Sequence, residues 1–349
     1  MLVQYPNGSE RPVHRRTDPE RPGSGAVTVV HMTSAPWAST RVAIVAGKGG
    51  VGSSTVAAAY ALAAARTGAD VLFVSVDGRP GMGPLLGGRE LDDHDRILRK
   101  LKGAGQVRGR TIPADQAFGD YLELKGVGGV LRRAASAASL PMVAAATPGL
   151  EHLLVLGKIK ELARDGAADL IVVDAPPAGH AAPFLRSATG LSDVVQSGPV
   201  REQAVEVDEM LRDPDRCRAM IVTLPEETPV SEAIELATDL RRDIGLALLP
   251  VVANACWPDR PGLEKSPAMA ARSHKVKLSA ATKAALVSSA EFGWARLERQ
   301  RHQLARLADE VGEPMALLPR LPTPRLTLHQ LGDLADALVE PLVEAEDLT

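Results

Sequence analysis

The feature that most limits how this chain can fold is one continuous stretch, residues 41–66. An apolar run, RVAIVA (41–46), empties into GKGGVG (47–52), and the glycines give way to SSTVAAAYALAAAR (53–66). A short apolar run that stops at turn residues reads as a buried strand, and the Ala-rich stretch reads as a helix. The same theme recurs along the chain. VLFVSV (71–76), LIVVDA (170–175), AMIVTL (219–224) and LALLPVVAN (246–254) read as further buried strands, with helical patterns at roughly 229–243 and 326–340. Continuous apolar strands alternating with helices imply an α/β fold, a mostly parallel central sheet covered by helices on both faces.

Two stretches interrupt the alternation. Residues 90–168 read as a mostly helical insertion, clearest at PGLEHLLVLGKIKELAR (148–164). There Thr147 can cap, Pro148 suits the first position, and Leu150, Leu153, Leu154 and Ile159 form an apolar stripe. Residues 260–312 form a second helical insertion, in which Leu304, Leu307 and Val311 fit a stripe facing the core or, as the weaker reading, a partner. Residues 1–40, rich in Pro, Gly, Ser, Arg and Glu, read as a disordered tail, and Met32 offers an alternative start to Met1. The folded domain is placed at 41–345.

Bulk properties exclude several classes. The 40 Lys and Arg against 43 Asp and Glu leave a formal charge of −3, which gives no general reason to expect nucleic-acid binding. No apolar run reaches bilayer length and the N-terminus lacks the apolar core of a signal peptide, so a cytoplasmic chain without an integral membrane segment is expected. Cys217 and Cys256 lie far apart in sequence and read as buried small apolar residues.

The chemistry starts at the glycines. A strand, glycines and then a helix place backbone N–H groups at a helix N-terminus, where they point at an anion. Gly47, Gly49, Gly50 and Gly52 let the backbone approach phosphate oxygens closely. In the general phosphate-loop pattern G-x-x-x-x-G-K-[ST], Gly47, Gly52 and Ser54 fall into place, but residue 53 is Ser where a Lys is usual. The whole stretch, Gly47, Lys48, Gly49, Gly50, Val51, Gly52, Ser53, Ser54 and Thr55, is read as nucleotide-binding. A tight strand-to-helix turn with unrelated glycines is the competing reading.

Lys48 directly after the first glycine is not part of the general pattern. GKGGVG followed by a small hydroxyl residue resembles the deviant loop of the MinD, ParA, nitrogenase iron protein and ArsA group of P-loop NTPases. The segment DLIVVDAPPAGH (169–180) resembles the switch sequence of the ArsA and tail-anchored-protein-targeting (Get-type) ATPases, and selects that branch. The resemblance covers roughly residues 41–340 and is closest to single-domain ArsA-like proteins of actinobacteria. It implies ATP and Mg²⁺ as cofactors and a P-loop fold with helical insertions. Lys48 would reach a partner's nucleotide across a dimer interface. Ser54, and Asp174 through water, would hold Mg²⁺, and the Gly179 backbone would sense the γ-phosphate. His180 stands beside it as a switch residue or a purely structural one. Asp77, in VSVDGRPG (74–81), matches the acid that positions the attacking water; an Asp capping a turn is the alternative. Arg79 nearby reads as a solvated arginine. Asn254 would recognise adenine through its amide, with the proline-containing LLPRLPTPRL (317–326) packing on the base.

Some features depart from the family pattern. Ser53 carries no charge, which predicts retained nucleotide binding and weakened hydrolysis. No cysteine cluster resembles a metalloid site, and no C-x-x-C zinc clasp is present. With one nucleotide domain, paired sites require a homodimer or a heterodimer with an ArsA-like paralogue, acting on a protein client. The alternatives are a non-catalytic subunit beside an active paralogue and a ParA/MinD-type positioning ATPase. The Asp174–His180 segment and the acidic C-terminal stretch disfavour the latter.

Overall fold

The computed structural model describes residues 40–124, 148–260, 262 and 265–339. The N-terminal tail, the choice between Met1 and Met32, and the capping role of Thr147 lie outside these residues. The core is an eight-stranded sheet in the order β3-β4-β2-β5-β1-β6-β7-β8. In chain order the strands are β1 (Val42–Gly47), β2 (Asp70–Ser75), β3 (Arg96–Lys100), β4 (Gln106–Thr111), β5 (Leu170–Asp174), β6 (Cys217–Thr223), β7 (Val251–Cys256) and β8 (Met315–Pro319). All neighbours pair in parallel except β3 and β4, which are antiparallel. Joined to the helices on both faces, this is the α/β architecture of a P-loop NTPase.

The strands explain themselves through alternation. Val42, Ile44 and Ala46 of β1 belong to one apolar cluster, while Ala43 and Val45 belong to the cluster on the opposite face. Leu72 and Val74 of β2 divide from Val71 and Phe73 in the same way. Both faces are therefore dry, and the strand sequences read as unbroken apolar runs. On one face lie α1 (Ser53–Arg66) and α10 (Leu328–Val339); the short α2 (Met82–Leu85) packs at the edge of α1. Every residue of α1 from Val56 to Ala65 is buried. Alanine suits this position because small side chains let the helix lie close to both the sheet and α10. Arg66 ties the two helices together by donating to the Gly332 carbonyl oxygen (3.1 Å) and to Asp336.

The other face carries α3 (Ala114–Leu124), α4 (Leu150–Arg164), α5 (Ala178–Val194), α6 (Pro199–Arg212) and α7 (Glu227–Asp239, running into a π turn at Leu240–Ile244), with α8 (Pro267–Ser273), which buries no residue, leading into α9 (Ala280–Val311), whose C-terminal part joins this core. Leu150, Leu153, Leu154 and Ile159 are all buried, as the stripe on α4 predicts. Leu304, Leu307 and Val311 of α9 also face the core. The N-terminal half of α9 instead projects, with Leu286 and Phe292 exposed. Both cysteines are buried; burial pushes the Cys256 thiol up to about 12 and raises that of Cys217 further, so neither is a reactive thiolate.

Three expectations need correction. Residues 90–168 are not simply a helical insertion, because β3 and β4 within them extend the sheet. Their sequences, RILRK and QVRGRT, hide the strand character behind charge. The arginines of β4 pair with acids: Arg108 with Asp70 (3.1 Å) and Asp95 (2.9 Å), and Arg110 with Asp95 (3.0 Å). Pro148 is not the first residue of α4. Gly149, at φ +87°, takes the N-cap position and offers no side-chain cap, so Pro148 precedes the helix. The apolar run 246–254 is not one strand. Leu248 only bridges Ala219, and β7 begins after Pro250, a residue with no N–H to give to a ladder.

Candidate functional site

Parallel register brings the sequence-predicted residues to one end of the sheet. Val45 of β1 lies opposite Asp174, the last residue of β5, and Asp174 lies opposite Ser75, the last residue of β2. Gly47 lies opposite Val222 on β6, and Thr223 lies opposite Ala253 on β7. The glycine loop, Asp77, Asp174 and Asn254 therefore leave the carboxyl ends of adjacent strands together. Ligands of open α/β sheets bind at this end.

Two glycines of the loop are dictated by geometry. A Cβ on Gly47 would lie 2.5 Å from the Val222 carbonyl oxygen. Gly52 sits at φ +87°, and a Cβ there would lie 2.4 Å from Asn254 Nδ2. From Gly52 the chain turns into α1, whose first residues, Ser53 and Ser54, follow directly. Ser53 is buried. Gly49 and Gly50 stand exposed at the loop tip with Lys48. The Lys48 ammonium pairs with Glu232 on α7 of its own chain, and the lysine side chain remains half-exposed.

Asp174 is the most perturbed acid of the site. It is 2% exposed, and neither carboxylate oxygen has a hydrogen-bond partner within the protein. Burial pushes its pKa up to about 6; the neighbouring Ser54 hydroxyl and Arg79 guanidinium pull it down, and Asp77 pushes it up. A buried carboxylate beside a serine hydroxyl, with both oxygens unsatisfied, has the chemistry of a hard divalent-cation site. The residues present thus fit Mg²⁺.

Asp77 lies in the turn after β2, with Arg79 Nη2 3.9 Å from its Oδ2. Arg79 departs from the sequence expectation. Its guanidinium is not merely solvated: Nη1 donates to Ser54 Oγ at 2.6 Å. Gly179 and His180 occupy the exposed first turn of α5, where the His180 N–H bonds the Pro177 carbonyl oxygen at 2.7 Å. α5 begins just after the carboxyl end of β5, as α1 does after β1. His152 on α4 sits close enough to feel His180 and Asp77. Burial lowers its pKa, and its ring meets Phe184 of α5 edge to face at 5.6 Å.

Asn254 is engaged within the chain. Its Nδ2 donates to the Val51 carbonyl oxygen (2.8 Å), and its Oδ1 accepts from the Ala255 N–H (2.8 Å). The amide therefore braces the glycine loop against β7. Beyond Ala255, which holds φ +54°, a cleft of about 620 Å³ opens between the ends of β6, β7 and β8 and α9. Its centre is Trp257, with Arg296 and Arg320 over the ring at 4.4 and 4.5 Å. Gln300 locks the tryptophan by accepting from its N–H (2.8 Å) and donating to its carbonyl oxygen (3.0 Å). Sequence reading singles out neither Trp257 nor Arg296; Arg320 falls within the 317–326 segment expected beside the base but is not named in it.

Among the described residues, no helix is long and apolar enough to cross a membrane. The family described as Anion-transporting ATPase matches residues 40–198. The chain is similar to ATPase BagA of Mycobacterium tuberculosis, 32% identical over 327 residues that take in 89% of this chain and 94% of that protein. It is also similar to an arsenical pump-driving ATPase of Acidiphilium multivorum, 30% identical over 205 residues, which are 56% of this chain and 31% of that protein. An arsenical pump-driving ATPase of Escherichia coli is 29% identical over 205 residues, again 56% of this chain and 31% of that protein. With its parallel sheet, its glycine loop and its buried aspartate at the end of β5, the chain belongs to the anion-transporting ATPase (ArsA) family.

Proposed function

We propose that this chain is an ATP-binding switch protein that works as a dimer and hydrolyses ATP slowly. The observation that carries the reading is the convergence of the Gly47–Thr55 loop, Ser54 and the unsatisfied Asp174 at one end of the sheet. The α1 N-terminus offers N–H donors to the phosphates. Ser54, and Asp174 through water, would hold Mg²⁺, which supplies charge neutralisation at the β- and γ-phosphates. Asp77 accepts a proton from, or orients, the attacking water, and the Gly179 backbone responds to the γ-phosphate. Asn254 braces the loop, and the base extends toward the cleft at Ala255 and Trp257, whose volume suits a nucleoside.

Ser53 weakens hydrolysis because it brings no charge to the phosphates. A donor aimed at developing charge is worth about 10²–10³ in rate. ATP-γ-S with Mg²⁺ should raise the melting temperature of the purified protein; an unchanged melting curve refutes nucleotide binding. Ser53→Lys should raise turnover toward the upper end of that range, and no gain would place the limit elsewhere.

Lys48 supports the dimer. At an exposed loop tip, it exchanges Glu232 for a partner's phosphates when two copies meet. Met269, Leu286 and Phe292, exposed on α8 and α9, support a protein client. A second reading, favoured by Ser53, is a non-catalytic subunit that lends Lys48 to an active ArsA-like paralogue. ATPase assays of the chain alone and mixed with such a paralogue separate the two. Turnover by the chain alone supports the first reading, and turnover gained only in the mixture supports the second.

A further inference from the structure

We propose that Arg79 supplies, from the turn after β2, the cation that the glycine loop lacks at residue 53, and that its guanidinium binds the terminal phosphate oxygens of ATP. The inference rests on the ATP-binding reading above and assigns a residue to it.

Position is the first argument. The guanidinium reaches the loop from a different strand, and Nη1 donates to Ser54 Oγ at 2.6 Å, one residue from Ser53. Asp77 and Asp174 flank it. It thus stands among the three side chains that surround the expected position of the β- and γ-phosphates.

The backbone that carries it is fixed. The Arg79 N–H donates to Ser75 Oγ (3.3 Å), and Ser75 is fully buried at the end of β2. Two residues on, the Gly81 N–H donates to both carboxylate oxygens of Glu90, at 3.0 and 2.9 Å. With the Cα held, the long side chain can pivot between Ser54 and a phosphate without moving the turn.

Charge is the second argument. A triphosphate brings several negative charges into a site that already holds Asp77 and Asp174. Lys48 is paired with Glu232. Arg79 donates one side-chain hydrogen bond, to Ser54, among the described residues, which leaves most of its five N–H donors available. Its planar fork matches two oxygens of a phosphate, a geometry that a lysine cannot reproduce.

The test is the affinity of the full chain for ATP-γ-S and for ADP, each with Mg²⁺, by calorimetry. The proteins are wild type, Arg79→Ala, Arg79→Lys, and Arg79→Ala combined with Ser53→Lys. Arg79→Ala should weaken ATP-γ-S binding by about 10–100-fold and ADP binding by less than about threefold, because the contact is to the terminal phosphate. Arg79→Lys should fall between. Adding Ser53→Lys to Arg79→Ala should restore the preference for the triphosphate. Arg79 is partly exposed on a turn, so the nucleotide-free melting temperatures of Arg79→Ala and Arg79→Lys should agree with wild type; the double variant places Lys at buried Ser53, so its nucleotide-free melt is recorded separately and its affinities are read only where it is fully folded. An unchanged ATP-γ-S to ADP ratio in Arg79→Ala overturns the proposal. So does tighter Mg²⁺·ATP-γ-S binding, which would mean that the guanidinium only competes for Ser54. Failure of the wild type to bind either nucleotide would instead refute the ATP-binding reading itself, and Arg79's role with it.

Discussion

Asp174→Asn should raise the melting temperature of the nucleotide-free protein while removing most of the Mg²⁺ dependence of ATP-γ-S binding. The two effects have one cause. The wild-type carboxylate is buried without a partner, and its pKa is pushed up from 3.8 to about 6. A raised value in the folded state means that folding favours the proton. The cost of ionised Asp174 is absent below about pH 4, grows as pH rises through 6, and is fully present above it. At neutral pH it amounts to at most about 3 kcal/mol. An asparagine removes the charge but leaves a buried amide, which returns about 1–2 kcal/mol of that. The net gain corresponds to a rise of roughly 2–6 °C. The difference between variant and wild type should shrink at pH 5, where the wild-type carboxyl is largely protonated. Without the carboxylate, a Mg²⁺ held through water loses its anchor, and Mg²⁺·ATP-γ-S affinity should fall about 10–100-fold. Thermal melts at pH 7.5 and 5, with and without Mg²⁺ and nucleotide, read all of this. A variant no more stable than wild type at pH 7.5 would mean that Asp174 already has a partner.

Much of this site was legible because it is encoded in continuous stretches. Residues 41–66 announce a strand, a turn and a helix in one continuous stretch, and Asp174 ends an apolar run that reads as a buried strand. What could not be read has a common physical character. β3 is the edge strand and β4 its inner neighbour; the β4 arginines are satisfied by Asp70 and Asp95 and Arg96 of β3 by Asp92, so their local sequence looks solvated. β8 (MALLP) lies inside a segment whose prolines suggest loop. Arg79 reads as a solvated side chain until Ser54, 25 positions earlier in sequence, appears beside it. Asn254 reads as a base-recognition residue, yet its amide closes onto Val51, 203 positions earlier in sequence. Sequence patterning reports which residues leave water; it does not report which side chain meets which across the sheet.

The Asn254 contact gives the other large effect. Gly52→Ala should weaken ATP-γ-S binding at least tenfold and destabilise the protein by about 2–3 kcal/mol, for two separable reasons. Alanine at φ +87° carries the left-handed penalty of about 1–2 kcal/mol. Its Cβ also falls 2.4 Å from Asn254 Nδ2, so the asparagine must swing away and give up its bond to the Val51 carbonyl oxygen, worth about 1 kcal/mol. The backbone penalty belongs to residue 52 alone, but the clash and the lost bond belong to the pair. Asn254→Ala by itself removes the brace and should loosen the loop, with a smaller loss of affinity. In the double variant the clash no longer exists and the brace is already gone, so only the backbone penalty is added. The combined loss of stability should therefore fall short of the sum of the single losses by about 1 kcal/mol. Urea melts of the four proteins measure that coupling. Strict additivity would show that Gly52 is required for its backbone conformation alone, and that Asn254 does not hold the loop in the shape that receives the phosphates.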